Sequence, residues 1–477
     1  MICVIRRYHV TNVMAFLIVT MIMVNLYALA VVIGGRAIPE SRNAPHDQKK
    51  SDQVIFSSNI TSTRFVALED GSLHIFSNLK LKSPNLYSVL DAIKRRYNEL
   101  QEENRTAGHY LRVVNRIKRA LSLSSHSGNK IDADNFWSTA AGWPFPMDSN
   151  QFQSMGEILW FANRAQILQA KNSKRGTQLK VEVVLEGGQV GLFKPAWYPH
   201  GVVINGTAYG GKDRHFGEIA AFYLNQILGY NSAPITLGRR VNLSREILNF
   251  ATDQLKETFF RDRDNNLCFY GVCYYCKSTD PVCAQGDNID GALILLLDKK
   301  LRIIANPWRR TYKEKIQASW ETDISFCSTV LKDSNLSKRN EALLDVVAVA
   351  IFDFLVGNAD RHHFEMYADV KEQPTSKSHS RSIFLIDNGK SFGNSDEDYI
   401  DILAPLYQCC KIRRSLFLTL NKFRGVLGKS LEAISNFDTL SPLLTKHHLS
   451  ALDRRLLIVL ATVQVCLDRY SQDEVIL

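Results

Sequence analysis

The residues best suited to chemistry lie in two short stretches. The first is Asp353-Phe-Leu-Val-Gly-Asn-Ala-Asp360-Arg-His-His-Phe-Glu365, and the second is Ile383-Phe-Leu-Ile-Asp387-Asn-Gly-Lys-Ser-Phe-Gly. Each sets an aspartate in a polar turn after an apolar segment, and the first adds another acid five residues on. Phosphoryl transfer requires such a set: an aspartate that takes the proton of the attacking hydroxyl, a metal ligand five residues later, and an Asp-x-Gly aspartate after a strand that holds a divalent cation on the phosphates. Asp360, Glu365 and Asp387 stand in that order. Glutamate in place of the usual asparagine at 365 adds negative charge, which favours manganese over magnesium. The plain alternative is a helix end capped by an acid paired with Arg361 and an ordinary Asp-Asn-Gly turn. The order of the two stretches, with a lysine and further acids upstream, favours the catalytic reading. In a phosphotransfer site Lys194 would contact nucleotide phosphates and be oriented by Asp213 or Glu218. Adjacent histidines such as His362 and His363 seldom face one ion from a regular element, so zinc is disfavoured there. Gly187, Gly188 and Gly191 fit a hairpin as well as a nucleotide loop, and the chain has no GxGxxG.

The elements that must position these residues are readable in outline. Alternation over Gln178–Leu185 and a return over Gln189–Phe193, around Glu186-Gly187-Gly188, predicts a β-hairpin that ends in Lys194. Gly217–Leu228 reads as an amphipathic helix that begins with Glu218. Helical patterning covers residues 86–121 and Phe152–Lys171, a buried helix is expected over Ala342–Leu355, a short strand over Ser382–Ile386, and mostly helix over Leu403–Leu467. A β-rich half thus precedes an α-rich half, which predicts an α+β fold of two unequal lobes with a cleft between them.

The chain of 477 residues carries a formal charge of +10. Its basic residues are scattered and form no nucleic-acid module, so no nucleic-acid partner is expected. Val13–Ile33 is an uncharged run of 21 residues preceded by Arg6, Arg7 and His9, long enough to cross a bilayer. It predicts an N-terminal transmembrane signal-anchor, with a cleaved signal peptide ending near Ala28-Leu29-Ala30 as the alternative. Either leads the body into the secretory pathway. Apart from Cys3, eight cysteines remain, an even number that suits a disulfide framework, although the group from Cys268 to Cys283 also allows a zinc site. Acceptor sequons for N-glycosylation occur at Asn59, Asn104, Asn205, Asn242 and Asn335.

From about Gly176 to Arg469 the segments GTQLK, LFKP, DRHFGEIAAFYLNQILGY, CFYGVCYYC, NPWRRTY, FDFLVGNADRHHFE, LIDNGKSFG and LAPLYQCCKIR resemble the family of secretory-pathway atypical kinases that contains the glycosaminoglycan xylosylkinase and the Golgi casein kinase. The resemblance implies a two-lobed atypical protein-kinase-like fold using ATP and Mn2+, or Mg2+. It implies Asp360 as catalytic base, Asp213 and Asp387 as metal ligands, and Glu218 as the supporting helix acid. Nucleotide contacts are implied at Gln178, Lys194, Glu365, Asp387 and the inter-lobe link Leu293, Ile294, Leu295 and Leu296. It pairs Cys268 with Cys283, Cys273 with Cys276, Cys327 with Cys409 and Cys410 with Cys466. Asp213 and the two-residue gap of Cys273-Tyr-Tyr-Cys276 are more similar to the sugar-phosphorylating branch, which implies the 2-hydroxyl of xylose in the proteoglycan linkage glycan as acceptor. Phe216 departs from the family pattern, which has asparagine there. A related kinase or pseudokinase partner is also implied, as is a Golgi membrane location with the catalytic region lumenal. The expected organisation is a cytoplasmic tail (1–9), an anchor (10–35), a stem (36–62), an N-terminal helical segment (63–175), an N-lobe with a cysteine-rich insert (176–292) and a C-lobe (293–477). The alternatives are a secretory serine protein kinase, a silent nucleotide-binding activator, or a glycan-binding module.

Overall fold

The computed structural model describes residues 63–68, 71–76, 84–102, 110–122, 133–297, 300–313, 316–333, 340–367 and 383–477. The expected anchor and stem, and the sequons at Asn59, Asn104 and Asn335, lie outside the described residues. Among the described residues no helix is long and apolar enough to cross a membrane.

The described chain opens with a hairpin, β1 (Arg64–Ala67) and β2 (Leu73–Phe76), where only helix was expected, followed by helices α1 (Pro84–Glu102) and α2 (Tyr110–Ser122). The hairpin is short and gains its partner from far along the chain, since β1 pairs with β13 (Glu397–Asp398). That tertiary pairing has no local signature in sequence.

The main sheet has five antiparallel strands in the order β3 (Ile167–Asn172), β4 (Val181–Leu185), β5 (Val190–Pro195), β10 (Asn288–Leu295) and β6 (Thr236–Asn242). In β4, Val181, Val183 and Leu185 are buried and alternate with partly exposed residues, the period of two that a pleated strand imposes. Gly187 and Gly188, at φ 81° and 86°, make the turn into β5 in a region closed to most side chains. The helix expected over Phe152–Lys171 ends at Arg164, in α3 (Met155–Arg164), and its last residues instead form β3. The sheet therefore begins upstream of residue 176, where the N-lobe was expected to start. Pairing with β4 overrides the helical pattern there.

Helix α4 (His215–Leu228) is not amphipathic as expected: every residue from Phe216 to Leu228 is buried. It is packed against β6 and β10 on one side and against the helices of the α-rich part on the other. Gly229 at φ 73° ends it with a left-handed cap. Below it lie α5 (Asn340–Val356) and α6 (Lys446–Leu467), which with shorter helices build the larger lobe. Strands β7 (Phe259–Arg261), β8 (Leu267–Phe269) and β9 (Val282–Cys283) form a small sheet in the cysteine-rich insert, while β11 (Leu301–Ala305) pairs with β12 (His363–Tyr367). Within the expected strand 382–386, only Phe384 bridges to Glu365 among the described residues.

Disulfides join Cys268 to Cys283, Cys273 to Cys276, Cys327 to Cys409 and Cys410 to Cys466, the pairs that the family resemblance implies. The sulfurs of the 268–283 group are thus committed to each other, which removes the zinc alternative.

Candidate active site

Strand β5 delivers Lys194 into the interior, and its ammonium is ringed by acids from two other segments. Its Nζ lies 2.9 Å from Asp213 Oδ2, 2.5 Å from Glu218 Oε1 and 2.5 Å from Asp387 Oδ1. Lys194, Asp213 and Glu218 are almost wholly buried, whereas the Asp387 side chain is 59% exposed and opens toward solvent. Burial opposes the Lys194 charge, but Asp213, Asp387 and Glu218 outweigh it and hold the ammonium well above its usual pKa. The same lysine, with Lys180 and Arg361 adding to it, draws the Asp387 carboxyl far below the ordinary carboxylate range. Burial pushes Glu218 upward, in opposition to Lys194.

The backbone explains how these groups meet. Asp387 adopts φ 61°, so the Asp-Asn-Gly turn folds back on the start of α4. There Asn388 N–H donates to Glu218 Oε2 at 3.0 Å and Arg214 N–H donates to the Gly389 carbonyl at 2.7 Å. A Cβ on Gly389 would fall 2.6 Å from Asp213 Cγ, so glycine is what permits the approach. Phe216, the departure from the family pattern, points away into the core, where its ring stacks on His448 at 6.0 Å.

Asp360 belongs to the turn after α5. Its neighbour Arg361 does pair with an acid of this stretch, as the plain alternative expects, but the acid is buried Asp353, held bidentately at 2.6 and 2.8 Å, and not Asp360. Arg361 also donates to the Ile386 carbonyl at 2.6 Å and to Asn388 Oδ1 at 2.9 Å, so one guanidinium locks the two acid-bearing turns together. Asp360 receives the Tyr312 hydroxyl on Oδ1 at 2.7 Å. Burial raises its carboxyl, and the Tyr312 hydrogen bond and Lys390 counter that rise.

These groups line one cleft of about 1400 Å3, larger than the ~300–1,000 Å3 of ordinary small-molecule sites and roomy enough for a nucleotide with an acceptor. Gln178, Lys194, Asp213, Glu218, Ile294, Leu295, Leu296, Asp360, Glu365 and Asp387 all face it. Leu293 does not: it is buried within β10, and Leu297 extends the cleft wall in its place. Most of the expected link is therefore the end of an interior strand, β10, rather than a free connection. Glu365 also differs from its expected metal-ligand position. It sits in β12 with Oε1 3.1 Å from His363 Nε2, apart from the cluster in which Asp213, Glu218 and Asp387 bring carboxylate oxygens within 4.8 Å of one another. That cluster, of hard oxygen donors, suits a divalent manganese or magnesium ion.

Three cleft residues escaped the sequence reading. Lys180, two residues beyond Gln178, is buried with its charge disfavoured by burial and by Lys194; the polar–apolar alternation of Gln178-Leu179-Lys180 is the signal for it. Lys390, three residues after Asp387, donates to the Gly211 carbonyl and approaches Asp213 Oδ1 at 3.8 Å. Tyr312 carries no local signal at all. Of the sequons, Asn205 is exposed, while Asn242 caps the following turn by accepting from Arg245 N–H at 3.0 Å.

A buried lysine bound by a helix acid, a turn aspartate open to a cleft and a second aspartate across that cleft define a phosphotransferase of kinase architecture. Residues 145–475 match the family described as Golgi casein kinase, C-terminal, Fam20, and the chain belongs to that family. It is 44% identical over 345 residues to a human glycosaminoglycan xylosylkinase, covering 71% of this chain and 82% of the relative. It is similar to the solved structure of hydra Fam20 with sugar, at TM-score 0.67 and 38% identity over 73% of this chain and 99% of that one. The Golgi casein kinase with Mn/ADP bound superposes at TM-score 0.66 and 27% identity, over 81% and 92% of the two chains.

Proposed function

We propose that this protein transfers the γ-phosphoryl group of ATP to the 2-hydroxyl of xylose in the glycosaminoglycan–protein linkage region of proteoglycans. The observation that carries the reaction type is the Lys194 ammonium held by Asp213, Glu218 and Asp387 on the floor of a cleft that also contains Asp360. The xylose acceptor rests on the names of the relatives and on the departures from the casein kinase pattern at Asp213 and Cys273–Cys276.

In this reading Lys194 binds nucleotide phosphates and Glu218 fixes its direction. Gln178, Ile294, Leu295, Leu296 and Glu365 contact the rest of the nucleotide. Asp387 and Asp213 would hold Mn2+, or Mg2+, and the ion when bound supplies charge neutralisation at the transferring group. Lys180 and Lys390 add positive charge at the same end of the cleft. Asp360 accepts the proton of the acceptor hydroxyl as the new O–P bond forms and ADP leaves. Alignment of the two reactants by these fixed groups accounts for most of the rate.

Four disulfides suit an oxidising compartment. With the apolar run at Val13–Ile33 they support a single-pass anchor, a short cytoplasmic tail and a catalytic body in the Golgi lumen. The silent-activator reading is opposed by the complete set of acids and Lys194. Asp387→Ala is expected to weaken manganese-dependent ATP binding at least tenfold, measured by calorimetry. Unchanged affinity in the presence of manganese would remove Asp387 from its role. Nuclear magnetic resonance of the phosphorylated linkage glycan is expected to place phosphate on O2 of xylose, and phosphate on another hydroxyl would overturn the acceptor assignment.

A further inference from the structure

The segment from Asn306 to Tyr312 lies along the turn that bears Asp360 and grips three consecutive residues of it. Asn306 Nδ2 donates to the Arg361 carbonyl at 2.8 Å, Arg310 Nε donates to the Ala359 carbonyl at 3.3 Å, and Tyr312 Oη donates to Asp360 Oδ1 at 2.7 Å. The splint is itself anchored, since Arg310 Nη1 donates to Asp401 Oδ2 at 2.7 Å and both partners are nearly buried. Trp308, between the two anchors, is buried and donates from its indole to Gln408 Oε1 at 2.7 Å.

Tyr312 adopts φ 54°, a left-handed conformation that a tyrosine takes only when its surroundings impose it. Its ring packs edge-to-face on Tyr209 at 4.8 Å, so the loop that leads to Asp213 rests against it. A left-handed backbone, ring contacts with Tyr209 and, at 6.2 Å, with His362, and a 2.7 Å hydrogen bond together place one phenolic hydroxyl on one carboxylate oxygen.

We propose that Tyr312 is a positioning residue for the phosphotransfer base: its hydroxyl fixes the Asp360 carboxylate through Oδ1 and leaves its second oxygen to accept the acceptor proton. The inference rests on the reading of Asp360 as the base. An ionised carboxylate offers about four lone-pair sites, so one donor on Oδ1 does not saturate it. Burial disfavours the anion, while Tyr312 and Lys390 favour it. Asp387, from the other acid-bearing turn, opposes the anion, and His362, two residues on in the same turn, supports it. Loss of the hydroxyl alone removes one of the favourable partners, so the base protonates at higher pH and its orientation loosens.

The test compares the wild-type protein with Tyr312→Phe and Asp360→Asn, using Mn–ATP and a galactose–xylose linkage glycan, across pH 5 to 8. For Tyr312→Phe, kcat is expected to fall about tenfold with KM for both substrates within about twofold, and the acidic limb of kcat/KM moves to higher pH. Wild-type kcat in Tyr312→Phe overturns the inference, and so does a lowered kcat with an unmoved acidic limb, which marks a merely structural role. A Tyr312→Phe enzyme faster than wild type also overturns it, because the tyrosine would then be a plug that competes with the acceptor. Asp360→Asn is expected to be inactive; full activity there removes the base reading itself, which separates that failure from failure of the Tyr312 inference. Unchanged affinity of Tyr312→Phe for Mn–ATP shows that the cleft is intact.

Discussion

Lys194 shares one ammonium among three carboxylates, and a mutation there leaves two of them, Asp213 and Glu218, buried without it. Lys194→Met is expected to abolish phosphate transfer and also to destabilise the fold by about 3 kcal/mol, the scale of a buried charge cluster that has lost a partner. A parallel assay and denaturant melt check both, and a variant that is inactive but as stable as wild type would mean that the acids relax outward to solvent. Asp360, Asp387, Asp213 and Lys194 were brought into one site at the level of sequence by their order along the chain and by the family resemblance, since each short motif alone also fits a plainer role. Tyr312 was not, because the contact that defines it spans 48 residues and depends on a left-handed backbone that no tyrosine advertises. For Glu365 spacing alone suggested a metal ligand, whereas the resemblance implied a nucleotide contact; pairing of β11 with β12 keeps it on the cleft wall with its carboxylate toward His363.

Among the elements, the start of α4 and the Asp-Asn-Gly turn work as one unit, joined by Arg214 N–H to Gly389 and Asn388 N–H to Glu218. Gly389→Ala forces its Cβ onto Asp213 and is expected to reduce manganese-dependent nucleotide affinity at least tenfold with little loss of overall stability. Calorimetry and thermal melting separate the two effects. The N-terminus of α6 offers a pH test. His448 is buried between Phe216 and Phe392, and burial, with Arg455 and other nearby positive groups, lowers its pKa to about 4. The folded protein therefore keeps it neutral while the unfolded chain protonates it below about 6.5. Stability is complete above pH 6.5 and is lost as pH falls toward 4, by up to roughly 3 kcal/mol from this group. His448→Gln is expected to flatten the pH dependence of the denaturation midpoint over that window, and an unchanged slope would assign it to other groups. The hairpin into Lys194 was readable because alternation and two glycines encode it locally. The amphipathic reading of α4 failed because its charged ends are few and both of its faces are covered, a fact set by neighbours from β6 to α5.

At the scale of the whole molecule, the disulfides tie the larger lobe around its core. Cys327–Cys409 closes 82 residues and Cys410–Cys466 closes 56, so adjacent cysteines anchor two different helices to one turn. Replacing both members of either pair with serine is expected to lower stability by about 4 kcal/mol through the entropy of the unfolded chain. Denaturant titration measures this, and a loss under about 1 kcal/mol would show that packing alone fixes those helices. The two-lobed plan was visible as a β-rich half before an α-rich half. The β1–β13 pairing was not, since its strands lie more than 300 residues apart and each is too short to declare itself.

The central claim is that this cleft phosphorylates a sugar. Its most direct test is transfer of labelled phosphate from ATP, with manganese, to a galactose–xylose linkage glycan and to casein side by side, with Asp360→Ala as the control. Label is expected on the glycan alone, with none from Asp360→Ala. Label on casein alone, or equal labelling of the glycan by wild type and Asp360→Ala, would contradict it.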